Sequence, residues 1–288
     1  MRIRFWWVAL LAACVSGCAA NLDGVRRFAS DTDTLVGGVN TQLAYLPVSC
    51  EHRLSLVELI HGSDADISRQ TKTACYDLAV SATAATDMTK GVDEYAKALG
   101  ALAQDNLATY SSELDGLGAS LKNLKKSDQS PVVSADKVDA LNKLTNLILE
   151  AATKGMRQYE LKAMLAEHDS FATILNQLAS MMDSEYVVAL QLEQGEYKTK
   201  LVTLKKVYGE REPIRVRELE RDFTASGRQI DDKIDAAKKS AQALRDLTAA
   251  HEKLKENADK LDAVDQIKEI NDFRKQMVDV RDALAKAF

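Results

Sequence analysis

Residues 216–261, VRELERDFTASGRQIDDKIDAAKKSAQALRDLTAAHEKLKENADKL, decide the fold class. Val216, Phe223, Ile230, Ala237, Leu244, His251 and Ala258 fall seven apart. Leu219, Ser226, Lys233, Ser240, Leu247, Leu254 and Leu261 interleave with them at the same period. Apolar side chains recurring at three and four residues gather on one face of an α-helix. A seven-residue repeat sustained this long is the seam of coiled-coil-like packing. Three positions on the second row are polar, so the helix should pack against neighbours without forming a dry zipper. His251 sits on the first row. It reads as a core imidazole, with a register or pH-sensing residue as the functional alternative.

Upstream, Tyr208-Gly209-Glu210-Arg211-Glu212-Pro213 reads as a turn, since glycine ends helices and proline starts them. Before it, a helix capped by Asp169 or Ser170 turns Phe171, Ile174, Leu178, Met182, Ala189, Leu192, Leu201 and Leu204 inward. A helix over about 135–166 presents Val138, Leu141, Leu144, Ile148, Ala152 and Tyr159. Ser127-Asp128-Gln129-Ser130-Pro131 is the clearest turn in the chain. A stripe through Ile67, Leu78, Met88, Tyr95, Leu102, Leu114 and Leu124 would be a rod of roughly 85 Å if unbroken, although Gly91, Gly100, Gly116 and Gly118 weaken its continuity. The alanines at 79, 82, 84 and 85 let a neighbouring helix approach closely.

The first helix, with Val25, Phe28, Thr32, Leu35 and Val39 on one face, is expected to end before Pro47. Ser49 then caps a short second one. Downstream, the phase shifts over 261–264 and Ile270, Phe273, Met277, Val280 and Leu284 form a last stripe. The fold class that follows is all-α: an elongated antiparallel helical bundle of four to six helices with coiled-coil-like long helices, occupying 25–288 as a single domain.

Three prolines and thirteen glycines in 288 residues suit long helices, and no strand-type alternation is present. The formal net charge of −5 is a poor match for a phosphate backbone, so nucleic acid is not expected as a partner. No phosphate loop, zinc-binding His-Glu-x-x-His, nucleophile elbow or paired Cys-x-x-Cys occurs. The expectation is a protein that is not an enzyme and carries no cofactor.

The N-terminus carries the address. Met1-Arg2-Ile3-Arg4 is a short basic region, Phe5 to Val15 is almost wholly apolar, and Val15-Ser16-Gly17-Cys18 ends it with small residues before a cysteine. This is the layout of a secretory signal. The apolar run is too short for a membrane span, which needs about 20 residues. On these eighteen residues the chain resembles the bacterial lipoprotein class, whose lipobox ends in a cysteine that is acylated before cleavage. The resemblance implies removal of 1–17, a lipidated tether over 18–24 anchored at Cys18, with Cys14 the alternative, and membrane attachment through several acyl chains. Ala19 after the cysteine implies the outer membrane, with the bundle expected to face the periplasm. Losing Arg2 and Arg4 takes Lys+Arg from 38 to 36 against 43 acidic residues, a net charge of −7.

Of four cysteines, Cys50 and Cys75 then remain as one pair in an oxidising compartment. His61-Gly62-Ser63-Asp64 between them is a helix stop followed by N-cap residues, and the midpoint of 50 and 75 falls between Gly62 and Ser63. A helical hairpin turning there sets the cysteines opposite each other, so a disulfide is expected, against two buried thiols.

Other candidates are weaker. Glu58 and His61 form one Glu-x-x-His, whereas di-iron bundles use two, so no metal site is assigned. Lys122, Lys125 and Lys126 suit a helix C-terminus beside the 127–131 turn and make a candidate partner-binding tip. Lys198, Lys200, Lys205, Lys206, Arg211, Arg215, Arg217 and Arg221 are interleaved with acids and read as a solvated face, with a partner-binding tip as the alternative. The leading expectation is a non-enzymatic outer-membrane lipoprotein acting as a periplasmic scaffold or tether that binds an envelope protein or the cell wall. A ligand or metal carrier with a pocket near Glu58, His61 or His251 is the second reading, and self-association through the polar seam is the third.

Overall fold

The computed structural model describes residues 22–61, 65–104, 106, 108–154, 157–260 and 268–288. Among them are nine α-helices and no strand. α1 (Asp23–His61) and α2 (Ala65–Ala103) are followed by a short 3-10 turn, Ser112–Leu114, and by α3 (Leu117–Asn123). Then come α4 (Ala135–Lys154), α5 (Arg157–Ala166) and α6 (His168–Met181). A π-turn, Met182–Tyr186, joins α6 to α7 (Val187–Tyr208), and α8 (Pro213–Glu256) and α9 (Lys268–Ala287) complete the chain.

Side-chain contacts fix the directions. Along α1, Phe28 lies by His251, Gln42 bonds Ser240, and Tyr45 lies by Lys233, so α8 runs antiparallel to α1. Phe273 meets Phe28 and Phe288 meets Tyr45, so α9 runs alongside α1 in the same sense. α6 and α7 also run with α1, from His168 beside His251 to Glu193 beside Ser49. At 1.5 Å per residue, the 39 residues of α1 span about 58 Å and the 44 of α8 about 66 Å. The N-terminal end of α1 therefore lies at one end of the bundle. The C-terminal end of α1 and the α7–α8 hairpin turn lie at the other.

The heptad seam of α8 turns inward as its spacing predicts. Ile230, Ala237, Leu244, Leu247, His251 and Leu254 are all buried. Its polar positions find partners: Gln42 donates to Ser240 Oγ at 2.7 Å, and the Lys233 ammonium sits 4.6 Å over the Tyr45 ring. Small residues set the close approaches. A Cβ on Gly91 would meet Leu141 Cδ1 at 2.2 Å, and one on Gly38 would meet Leu284 Cδ1 at 2.5 Å.

Several local expectations are corrected. α1 begins at Asp23, inside the expected tether, and runs through Pro47 to His61 without ending. Pro47 costs one backbone hydrogen bond, but Leu43, Leu46 and Cys50 keep the same face in the core on both sides of it. Ser49 is consequently no cap; it is buried and bonds across the bundle. The 67–124 stripe is not one rod. α2 stops at Ala103, and the chain doubles back along it. Gly116, at φ 82°, supplies a left-handed conformation that only glycine adopts without strain and so starts α3. Ser120 then bonds Asp87 and Ser127 bonds Asp77. α6 starts at His168 after Glu167, so neither Asp169 nor Ser170 is its N-cap. Tyr159 is exposed.

Cys50 and Cys75 form the disulfide, with Cα atoms 5.5 Å apart. Closing a loop of this size restricts the unfolded chain by about 3 kcal/mol. Urea denaturation of Cys50→Ser/Cys75→Ser should show that loss, and an unchanged midpoint would mean the bridge adds nothing.

Candidate functional site

Two buried polar clusters and one exposed hairpin stand out among the described residues. In the first cluster, α8 brings His251 between α2 and α6, where no part of its surface reaches solvent. The Tyr95 hydroxyl donates to the Met164 carbonyl at 2.8 Å, which uses its single proton. His251 Nε2, 2.7 Å from the same oxygen, must therefore carry the hydrogen and donate to it. His251 Nδ1 is left as an acceptor, 3.1 Å from His168 Nδ1, which must then donate. The result is a directed chain, His168 to His251 to Tyr95 to the Met164 carbonyl, with every internal proton placed.

Around it, His168 stacks at 19°, the Phe171 ring lies 4.5 Å away, and Phe28 closes the cage at 6.1 Å. Burial, helped by His168 and Lys255, pushes the His251 pKa down to about 3. Burial also lowers His168 and raises Tyr95 well above its ordinary value. The imidazole is thus neutral at pH 7 and works as a core polar link. Of the two readings of His251, the core imidazole matches this geometry.

The second cluster surrounds Glu193 on α7, a carboxylate with almost no exposed surface. Ser49 donates to it at 2.6 Å, and His52 Nδ1 lies 3.0 Å from its other oxygen. Burial first, and the Glu193 charge second, raise the pKa of Tyr45 and of Tyr197. Burial pulls Lys233 down while Glu193 and Asp232 oppose the shift. Glu193 and Lys233 thus lie buried near each other, with aromatic rings between helices α1, α7 and α8.

Glu193 was missed by sequence reasoning for an identifiable reason. The π-turn inserts one residue into the helical phase. Tyr186, Leu190, Glu193 and Tyr197 therefore turn toward the bundle, whereas Leu192, expected inside, is exposed. His168 and Tyr95 carry no local mark that they would meet His251.

The remaining expected residues are placed as follows. Cys14 and Cys18 lie outside the described residues. Glu58 is exposed and faces Ser68 and Lys72, and the His61 side chain lies outside the described set. No group of three or more His, Cys, Asp or Glu that could hold a metal ion occurs among the described residues. Lys122 and Lys125 are exposed, but their segment does not form an end of the bundle. The Ser127 backbone and hydroxyl both bond Asp77, which pins the 124–131 loop to the flank of α2.

The far end is built instead by the α7–α8 hairpin. Between residues 194 and 229 only Val216 is buried, with Leu201, Leu204, Leu219 and Phe223 half-buried in the seam between the two helices. An open groove of about 320 Å³ runs beside Tyr197, Leu201 and Phe223. At the apex Val202, Val207, Tyr208 and Ile214 are 67%, 50%, 43% and 72% exposed. Lys205 pairs with Glu220 across the hairpin. Among the described residues no helix is long and apolar enough to cross a membrane. No family model matches the chain, and no curated protein or solved structure matches it either.

Proposed function

We propose that the chain is a non-enzymatic outer-membrane lipoprotein whose helical bundle serves in the periplasm as a scaffold or tether, binding an envelope protein or the cell wall. The observation that carries this reading is the N-terminal stretch itself, a basic start, an apolar run and Val15-Ser16-Gly17-Cys18. Acylation at Cys18 would restrict the protein to a surface and raise its effective concentration against a partner held nearby. The direction of the helices supports the same picture. α1 begins just after the expected tether, so an anchor at Cys18 would attach to the end of the bundle about 58 Å from the α7–α8 turn. The disulfide is in keeping with an oxidising compartment.

The expected result is that Cys18→Ser abolishes acylation and moves the protein from the membrane fraction to the soluble fraction. Unchanged partition would sink the reading, and loss of partition only in Cys14→Ser would move the anchor to Cys14. For the partner, in-cell crosslinking of the acylated chain is expected to give adducts with an envelope protein or the cell wall, and their absence would remove the scaffold role. Adducts from Lys122, Lys125 or Lys126 alone would return the contact to the flank of α2.

A further inference from the structure

The α7–α8 hairpin has a composition unlike the rest of the molecule. Residues 198–221 hold eight lysines and arginines against four glutamates, a net charge of +4 in a chain whose total is −5. Over the same stretch the helices leave the shared core, so that of these residues only Val216 is buried. Of the four large apolar side chains most exposed there, Val202, Val207, Tyr208 and Ile214, three flank the turn. Val207 and Tyr208 precede it and Ile214 follows it, all of them exposed. Lys206, Arg211, Arg215 and Arg217 surround them, exposed as well.

We propose that this hairpin apex docks on an anionic lipid surface, with Val207, Tyr208 and Ile214 entering the headgroup layer and the cations around them meeting the lipid charge. Charge complementarity selects this occupant. A positive apex on a negative chain is drawn to a negative surface, and the residues that would insert are aliphatic and tyrosine side chains at the tip of a narrow projection. An apolar tip ringed by cations uses two contributions at once: transfer of apolar area out of water, and attraction to phosphate headgroups that acts on each Lys or Arg within a Debye length. Glu210 and Glu212 in the turn oppose the attraction, so binding is expected to be reversible. A second copy of the chain fits less well, since two positive apices repel.

The proposal rests on the tether reading only for which membrane is met; at about 58 Å from the start of α1, the apex would face a surface other than the anchoring one. The contact itself is tested without the anchor. The chain from Ala19 onward contains every described residue, and so can be used free of acyl groups and of the apolar leader.

In vesicle sedimentation this chain is expected to bind phosphatidylcholine vesicles containing about one third phosphatidylglycerol. Binding should weaken at least ~tenfold on phosphatidylcholine alone and in about 0.5 M salt, where screening shortens the reach of each charge. Val207→Ser/Ile214→Ser and Lys206→Glu/Arg215→Glu should each lower it by a similar factor, while circular dichroism stays unchanged because all four side chains are exposed. Absence of binding to the anionic vesicles overturns the proposal, as does binding that neither double variant weakens. A mass that doubles with concentration and falls back in the Val207→Ser/Ile214→Ser variant would give the apex to a second copy of the chain and also overturn it. None of these outcomes bears on membrane partition through Cys18, which stands or falls by its own substitution.

Discussion

Lowering the pH from 7 to 4 is expected to remove about 3 kcal/mol of folding stability through His251 alone, at ~1.4 kcal/mol per pH unit. The sign follows from the two states. Buried among Tyr95, His168, Phe171 and Phe28, the folded imidazole has its pKa depressed to about 3. The unfolded chain takes up the proton near pH 6.5. Above that pH neither state is charged and stability is unaffected. Below it the unfolded state binds a proton that the folded state refuses, so stability falls until the pH approaches 3.

The charged neighbours of the cage act in different directions. His168 and Lys255 disfavour a second cation, while Glu252 and Asp169 face His168 and favour its protonation. His168 can take its extra proton on Nε2 and keep donating through Nδ1, so the directed hydrogen bonds survive its titration. Urea midpoints at pH 7, 5.5 and 4 for the natural chain and for His251→Gln provide the check. Carboxylate effects are common to both and cancel in the difference. The two curves should converge by about 3 kcal/mol toward acid; curves that stay parallel would show that His251 does not refuse the proton.

Replacing Phe28 with Ala is expected to cost about 3–5 kcal/mol, the range for removing a buried aromatic ring. Phe28 is completely buried on α1, with Phe273 at 5.9 Å and His251 at 6.1 Å. Its ring therefore joins three helices, α1, α8 and α9, and no single neighbour can move to fill the space. The control is Val202→Ala on the open hairpin, which should stay within ~0.5 kcal/mol. The two predictions are linked. A cavity beside His251 that admits water would relieve its desolvation, so Phe28→Ala should also flatten the acid dependence. Equal costs for Phe28→Ala and Val202→Ala in urea titrations would contradict the packing described here.

How far the structure could be read in advance differed by element. α8 was legible almost throughout, because its seam repeats every seven residues over many turns and packing follows that repeat. The pairing of Cys50 with Cys75 was legible from one turn midway between them. The course of α1 through Pro47 was not, because the rule that proline ends a helix is local and the core contacts on both sides of Pro47 outweigh one lost hydrogen bond. An unbroken 3.6-residue period turns Leu192 inward, whereas the π-turn at Met182–Tyr186 gives that place to Glu193. The loop of Lys125 and Lys126 was expected at the bundle's end, yet Asp77 holds it on the flank.

The sequence by itself determined the all-α class, the antiparallel sense of the long helices and the disulfide, and it shows the basic, apolar and small-residue pattern of residues 1–18. These rest on interactions between neighbours in the chain: side-chain period, turn residues and the order of basic, apolar and small residues. Only the tertiary structure decided which polar residues meet. His168 and His251 are 83 residues apart, and Ser49 and Glu193 are 144 apart. Their contacts depend on the rotation and axial register of helices that touch far along the chain. A one-residue change of phase is enough to place a carboxylate in the core and a leucine in water.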